Sequence, residues 1–334
     1  MKIFVAGAAG AIGAHLVPQL VAAGHQVVAT TRNPARLASL RSLGAEALEM
    51  DGLDARAVGK AVGRAEPEVV IHQMTALAGM GNPRRFDAQF ATTNALRTAG
   101  TDHLLAAATA SGVRRFIAQG YTGWPNGRTG SAVHTEQDPL DSHPPAAQRQ
   151  TMDAIQHLER VVPAAAGMDG LVLRYGSFYG PGASDQFVAM IRRRMLPVIG
   201  DGAGIWSFLH IDDAAAATVA AIAHGAAGVY NVVDDDPAPV SQWLPVLAEA
   251  VGAKPPLRLP AWLGRIVAGE VVVSMMTGIR GSSNALAKRE LRWEPKWTSW
   301  RDGFRRGLEP TDGAAPGPAS GRADASPPSG NASA

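Results

Sequence analysis

Residues 2–20, KIFVAGAAGAIGAHLVPQL, set three glycines, Gly7, Gly10 and Gly13, between a short apolar run and a helix-like segment. The apolar run has the length of a buried strand, a helix is expected from about Ala11, and a second strand, QVVAT, ends near Thr30. Strand, glycine turn and helix in that order let a pyrophosphate approach the backbone at a helix N-terminus. Gly7, Gly10, Ala11, Ile12 and Gly13 are therefore the expected phosphate contacts, with a ligand-free turn as the alternative. Where an acidic residue would bond the adenosine ribose of NAD, the chain reads TTRNP. Thr31 puts no carboxylate there to repel a phosphate and Arg32 can pair with one bidentately, so NADP(H) is expected ahead of NAD(H). A solvent-facing Arg32 is the alternative.

The same alternation continues: EALEM then residues 54–65, EVVIH then 83–112, RRFIAQ then 146–166, and GLVLRY. Short apolar runs separated by helices are what a parallel sheet buried on both faces requires, so the fold class is α/β, a doubly wound (Rossmann) sheet. Residues 1–176 are expected to form most of the nucleotide-binding domain, its sheet completed by 206–233. Residues 177–205 and 234–310 should form a smaller, discontinuous substrate lobe. Residues 311–334 are dense in Pro, Gly, Ser and Ala, and predict a disordered tail. Its Asn331-Ala-Ser matches a glycosylation acceptor pattern, read here as incidental.

Of 334 residues, 46% are apolar and 18% charged, with a formal charge of +2, which points to a globular protein with neither a nucleic-acid nor a membrane partner. With no cysteine, thiolate catalysis and disulfides are excluded. The N-terminal run carries no signal-peptide pattern, so a cytoplasmic location is expected. Residues 262–279, WLGRIVAGEVVVSMMTGI, are interrupted by Arg265, Glu270 and glycines, and read as a buried or lid helix rather than a membrane span. Asp234, Asp235 and Asp236 are consecutive and read as a turn, not a metal cluster; no metal is expected.

EMDGLD, VVIHQMTAL, TTNALRTAGTDHLLAAA, RRFIAQGY, LRYGSFYGPG, FLHIDDAAAA, VYNVVDDD and KRELRWEPKWTSWRDGF follow the glycine loop in order. Together they resemble the extended short-chain dehydrogenase/reductase family, the NAD-dependent epimerase/dehydratase group, over residues 1 to about 308. The resemblance implies a pyrophosphate on Gly7, Gly10 and Gly13 and an adenine contact at Asp51. It sets His72, Gln73 and Met74 along the cofactor and Asn94 beside the active site on a long helix. It brings Tyr175, Gly176 and Ser177 past the nicotinamide. It also implies a small-molecule substrate and a homodimer formed through the helices at 83–112 and 146–166. His210 reads as a structural histidine at a helix start.

One part of the family pattern is missing. Its chemistry uses a tyrosine followed four residues later by a lysine, but the segment PPAAQRQTMDAIQHLER contains neither, and no lysine lies between Lys60 and Lys254. With Glu159 taken as the family's glutamate on that helix, Thr151 and Ile155 occupy the two positions. Tyr121, at the end of the fifth strand, is the candidate general acid, with Gln119, Thr122 and Arg149 shaping the site and His134 flanking a Pro-rich loop. The alternative is that Tyr121 and Trp124 wall an apolar pocket. The leading function is an NAD(P)-dependent oxidoreductase or epimerase with a divergent site; the second is a non-catalytic NADP(H)-binding sensor or scaffold.

Overall fold

The computed structural model describes residues 1–77 and 82–309, so the expected tail lies outside the described residues. The first half alternates as β1 (Lys2–Ala6), α1 (Ala11–Ala22), β2 (Gln26–Thr31), α2 (Leu37–Ser42), β3 (Glu46–Glu49), α3 (Ala55–Ala65) and β4 (Val69–His72). It continues through α4 (Phe86–Ala95), α5 (Thr101–Ala110), β5 (Arg115–Tyr121), β6 (Val133–His134), α6 (Arg149–Val161) and β7 (Asp169–Tyr175). Shorter elements follow: β8 (Ser177–Tyr179), α7 (Asp185–Arg192), β9 (Val198–Ile199), β10 (Ile205–Trp206), β11 (Phe208–His210), α8 (Ile211–Ala223) and β12 (Gly228–Val232). The chain closes with β13 (Ala238–Pro239), α9 (Val240–Ala250), β14 (Arg258–Leu259), α10 (Ala261–Val267), α11 (Glu270–Thr277), β15 (Gly281–Ser282), α12 (Ala285–Leu291) and α13 (Trp300–Arg306).

Seven strands form one parallel sheet in the order β3-β2-β1-β4-β5-β7-β12. Chain order reverses between β1 and β4, and the crevice past the carboxyl ends of those strands is where such sheets bind ligands. One face is covered by α1 and α8, with Leu16, Leu20, Ala214 and Ala217 on Ile3, Val5 and Leu173. The other is covered by α3, α5 and α6 through Val58, Leu104 and Leu158. A third apolar cluster, around Phe208, Trp243, Trp300 and Phe304, belongs to the C-terminal elements.

Two details differ from the sequence reading. Of the segment expected to complete the sheet, Gly228–Val232 joins it beside β7, while Phe208–His210 pairs with Ser177–Tyr179 outside it. Residues 262–279 form parts of two short helices, α10 and α11, broken at Gly269 (φ 90°); α11 buries Val271, Val273 and Met276, and among the described residues no helix is long and apolar enough to cross a membrane.

Candidate active site

The glycine loop sits at the sheet's reversal point. Gly7 has φ 84°, and a Cβ there would lie 2.7 Å from the Met74 backbone, so the ends of β1 and β4 approach as closely as they do only with glycine present. A Cβ on Gly13 would overlap the Ala8 carbonyl, which lets α1 start tight against the loop. Gly10 is different: the one atom within 4 Å of its missing Cβ is the Gly7 carbonyl oxygen at 3.6 Å. That open side is a cradle which a side chain would fill. The first turn of α1, beginning at Ala11 and Ile12, has no capping side chain and no acidic residue, leaving its N–H groups to an anion. These residues fit a dinucleotide pyrophosphate. At the far end, β2 finishes with buried Thr31, and the next residue, Arg32, is exposed. Asp51 is exposed, its carboxylate accepting the Leu53 N–H at 3.0 Å.

The segment after β4 lies along the same crevice, but its side chains are occupied. The buried His72 ring donates from Nε2 to the Leu96 carbonyl at 3.2 Å and accepts the Met74 N–H on Nδ1 at 3.2 Å. Burial pushes its pKa down from 6.5 to about 4, so it is a neutral tether. Gln73 donates to the Tyr175 hydroxyl at 3.3 Å; its own Oε1 is buried without a partner among the described residues. Met74 packs its sulfur beside Gly52.

The His72 geometry carries an acid-stability prediction. The unfolded ring takes a proton near pH 6.5 and the folded ring does not until about pH 4, so this contribution is complete above pH 6.5 and is lost as pH falls toward 4. The full difference is roughly 3 kcal/mol. Urea unfolding at pH 7 and pH 4.5 should show a steeper loss in wild type than in His72→Gln; equal slopes would contradict it.

Past the carboxyl ends of β5 and β7, Tyr121, Gly123, Trp124, Ser177, Trp206 and Met275 help to line a narrow cleft. Tyr121 and Ser177 share a hydroxyl hydrogen bond at 3.2 Å. Burial raises the Tyr121 pKa, partly opposed by that bond and by the positive charge of Arg97, so the phenol stays protonated at neutral pH. Gln119 lies two residues earlier on β5, on the same face of the strand and partly exposed. Gly176 is buried, its missing Cβ 2.7 Å from the Ser207 carbonyl oxygen, and Ser177 N–H donates to that oxygen at 2.9 Å.

Several expected residues play other parts. The Thr122 hydroxyl is closed into a buried knot, 2.5 Å from the Ser282 hydroxyl and 3.2 Å from Asn126 Oδ1, which ties the loop to β15 and takes Thr122 out of the cleft. Tyr175 points its ring into the core under the sheet, its hydroxyl 2.6 Å from Thr218; burial raises its pKa to about 12, and its strand-end carbonyl accepts the Thr122 N–H at 3.0 Å. Arg149 stands exposed at the start of α6, with no hydrogen bond or ion pair to Tyr121 among the described residues. His134 is buried and donates to the Thr129 carbonyl at 3.0 Å. His210 caps α8 and reaches the Gly307 carbonyl at 3.0 Å. Asp235 and Asp236 diverge, one to Asn284 and Lys288, the other to Ser299 and Arg301, so the acidic triplet does not converge.

The cation beside Tyr121 is Arg97, which the sequence reading did not single out. It is 5% exposed, and its Nη1 has no hydrogen-bond partner among the described residues. Burial pushes its pKa down to about 10, opposed by Tyr121 and Glu159, so it is charged at neutral pH. Its position comes from a π-turn, Leu96–Gly100, between α4 and α5. Such an extra residue rotates the helix face, and is common at functional sites.

At the two positions that the sequence reading set against the family's tyrosine and lysine, α6 carries Thr151 and Ile155. The Thr151 hydroxyl donates to Asp87 at 2.6 Å and accepts from Asn94 Nδ2 at 3.0 Å, while Asp87 also receives the Gln150 and Thr151 N–H groups. Ile155 is packed among Phe86, Trp124, Met152, Val271 and Ile279. Neither can exchange a proton with a bound substrate.

The profile of the NAD-dependent epimerase/dehydratase family matches residues 3–233. The chain belongs to that family. It is thus an enzyme of the NAD(P)-dependent oxidoreductase and epimerase type, as are the relatives whose names follow. A 3-diazoavenalumate denitrifying reductase from a Streptomyces species is 42% identical over 311 residues, covering 92% of this chain and all of the relative. A 2-alkyl-3-oxoalkanoate reductase from Stenotrophomonas maltophilia is 29% identical, covering 76% of each chain. Among solved family structures, the UDP-glucose 4-epimerase of Thermotoga maritima with UDP-glucose superposes with a TM-score of 0.72 at 26% identity, over 92% of this chain and 97% of that one. The Thermus thermophilus UDP-glucose 4-epimerase in complex with NAD shares the fold at 23% identity, TM-score 0.71, over 92% and 98%.

Proposed function

We propose that this chain is an NADPH-dependent reductase whose substrate carries a leaving group on the carbon to be reduced, a diazo compound being the class that fits best. The observation that carries this reading is the α6 pair: Thr151 committed to Asp87 and Ile155 sealed in an apolar cluster. Reduction of a carbonyl needs a proton for the forming alkoxide. Displacement of dinitrogen does not. When bound, NADPH would supply one hydride to take the place of N2 on a diazonium carbon, giving NADP+, N2 and the C–H product. The 42% identical relative is named for a denitrifying reduction of a diazo compound, which supports the same reading.

The chain's own groups then bind and stabilise. Gly7, Gly10, Ala11, Ile12 and Gly13 would hold the pyrophosphate, Arg32 the 2′-phosphate of NADPH and Asp51 the adenine end. The protonated Tyr121 phenol, fixed by Ser177, donates a hydrogen bond to a polar atom of the substrate. Arg97 places fixed positive charge at the inner side of that phenol and stabilises negative charge on the group it contacts. Trp124, Trp206 and Met275 keep water from the reacting carbon.

The test is an anaerobic assay with NADPH and 4-hydroxybenzenediazonium, corrected for the protein-free rate. Equimolar NADPH loss, N2 release and phenol formation are expected, faster than with NADH, and Tyr121→Phe should slow turnover about tenfold, the worth of one hydrogen bond. Reduction of ketones or aldehydes without N2 release would overturn the reading. No turnover on either panel would overturn it in favour of a cofactor-binding sensor.

A further inference from the structure

A half-buried arginine near the cleft leaves most of its donors unused among the described residues. Arg128 belongs to the loop after β5, and its Nε donates to Asp141 at 3.0 Å, while Nη1 and Nη2 are both shielded from solvent without a hydrogen-bond partner among the described residues. A guanidinium has five donors in a fixed fork, and leaving two nitrogens buried and unpaired is costly. Burial lowers its pKa, with Asp141 opposing and Arg280 adding to the fall.

Arg280 stands against the same loop, its Nε donating to the Arg128 carbonyl at 3.3 Å. The cluster holds two guanidinium groups and one carboxylate, an excess of one positive charge. It is held rigidly. Asn126 donates to the Arg280 and Gly281 carbonyls at 3.1 and 3.2 Å and to Ser282, and β6 pairs with β15. It lies behind the cleft wall: Arg280 directly follows Ile279, a cleft-lining residue, and a Cβ on Gly278 would lie 4.0 Å from Arg128 Cδ.

We propose that Arg128, supported by Arg280, is the anchor for a substrate carboxylate, so that the enzyme acts on an organic acid with an apolar body. The two free Nη groups of Arg128 match the two oxygens of a planar carboxylate, and Asp141 fixes the fork from behind. Tryptophan, methionine and isoleucine walls suit an apolar body in the cleft. This deepens the reductase reading by naming its substrate class.

The experiment is calorimetric titration of the full chain with 3-phenylpropanoate and its uncharged counterpart 3-phenylpropanamide, neither of which can be reduced by loss of N2. Wild type should bind the acid at least about tenfold more tightly than the amide, as expected for a charge-assisted fork. Arg128→Gln should lose that preference while binding the amide as before, and Arg128→Lys, which keeps the charge without the fork, should retain part of it. Thermal unfolding of each variant shows that it is folded. Equal binding of acid and amide by wild type, a preference unchanged in Arg128→Gln, or Arg128-dependent binding of UDP-glucose in place of the acid would overturn the proposal. Acid binding with no N2 release from a diazo substrate would leave the subsite standing and remove the reaction; the converse would do the reverse.

Discussion

Gly13→Ala should abolish cofactor binding while the chain still folds. The new methyl would occupy the position of the Ala8 carbonyl, backbone that cannot rotate away, so the loop must move off the start of α1. Overpacking of this kind costs about 1–3 kcal/mol, which a domain of this size tolerates. The phosphate cradle does not tolerate it, because a displacement of the loop misaims the N–H groups at the mouth of α1. A cofactor at about 100 times its dissociation constant adds roughly 2.7 kcal/mol to stability, and that gain should vanish in the variant. Gly63→Ala is the control: a Cβ there meets nothing within 4 Å, and alanine in an exposed helix is favoured over glycine by about 1 kcal/mol. It should unfold slightly later than wild type and keep the full cofactor shift. A cofactor shift surviving in Gly13→Ala would mean that the loop is not the pyrophosphate site.

The largest loss of stability is expected at Glu159→Gln. Glu159 on α6 receives both arms of Arg174 from β7, each at 2.6 Å, and both side chains are less than one tenth exposed. Such a pair contributes little beyond a well-packed apolar alternative, since desolvation offsets attraction, but removing one member strands the other charge in the interior. The cost is about 3–5 kcal/mol, a drop in melting temperature on the order of 10 °C for a chain of this length. Glu159 also acts on Arg97, so the variant tests the electrostatics of the cleft as well. A double change, Glu159→Leu with Arg174→Met, should recover most of the loss, because it removes both charges and fills the space; no recovery in the double variant would locate the effect in packing.

The two ends of the site differed in how much a reader of the chain could find. The glycine turn was legible because its requirements are local: Gly7 and Gly13 lie within seven residues, and the close backbone approaches there admit only glycine. The absence of tyrosine and lysine from α6 was legible for the same reason. Thr122 was misplaced because its neighbours in sequence suggest a strand-end hydroxyl, whereas Ser282, 160 residues away, takes that hydroxyl into the interior. Arg149 was expected to shape the site from the helix after the fifth strand, but as the first residue of that helix it stands exposed.

By itself the sequence determined the doubly wound parallel sheet, the glycine turn after its first strand and a sixth helix free of tyrosine and lysine, all properties of short segments. Tertiary structure alone decided which arginines are drawn inward. Arg97 sits in a run that reads as unbroken helix, and the π-turn at Leu96–Gly100, a change of hydrogen-bond register with no composition of its own, turns that side chain inward. Arg128 and Arg280 are 152 residues apart and meet through the hydrogen bonds of one loop to one strand. A charge reaches the interior only where the packed fold holds it there, and no stretch of sequence a dozen residues long contains that information.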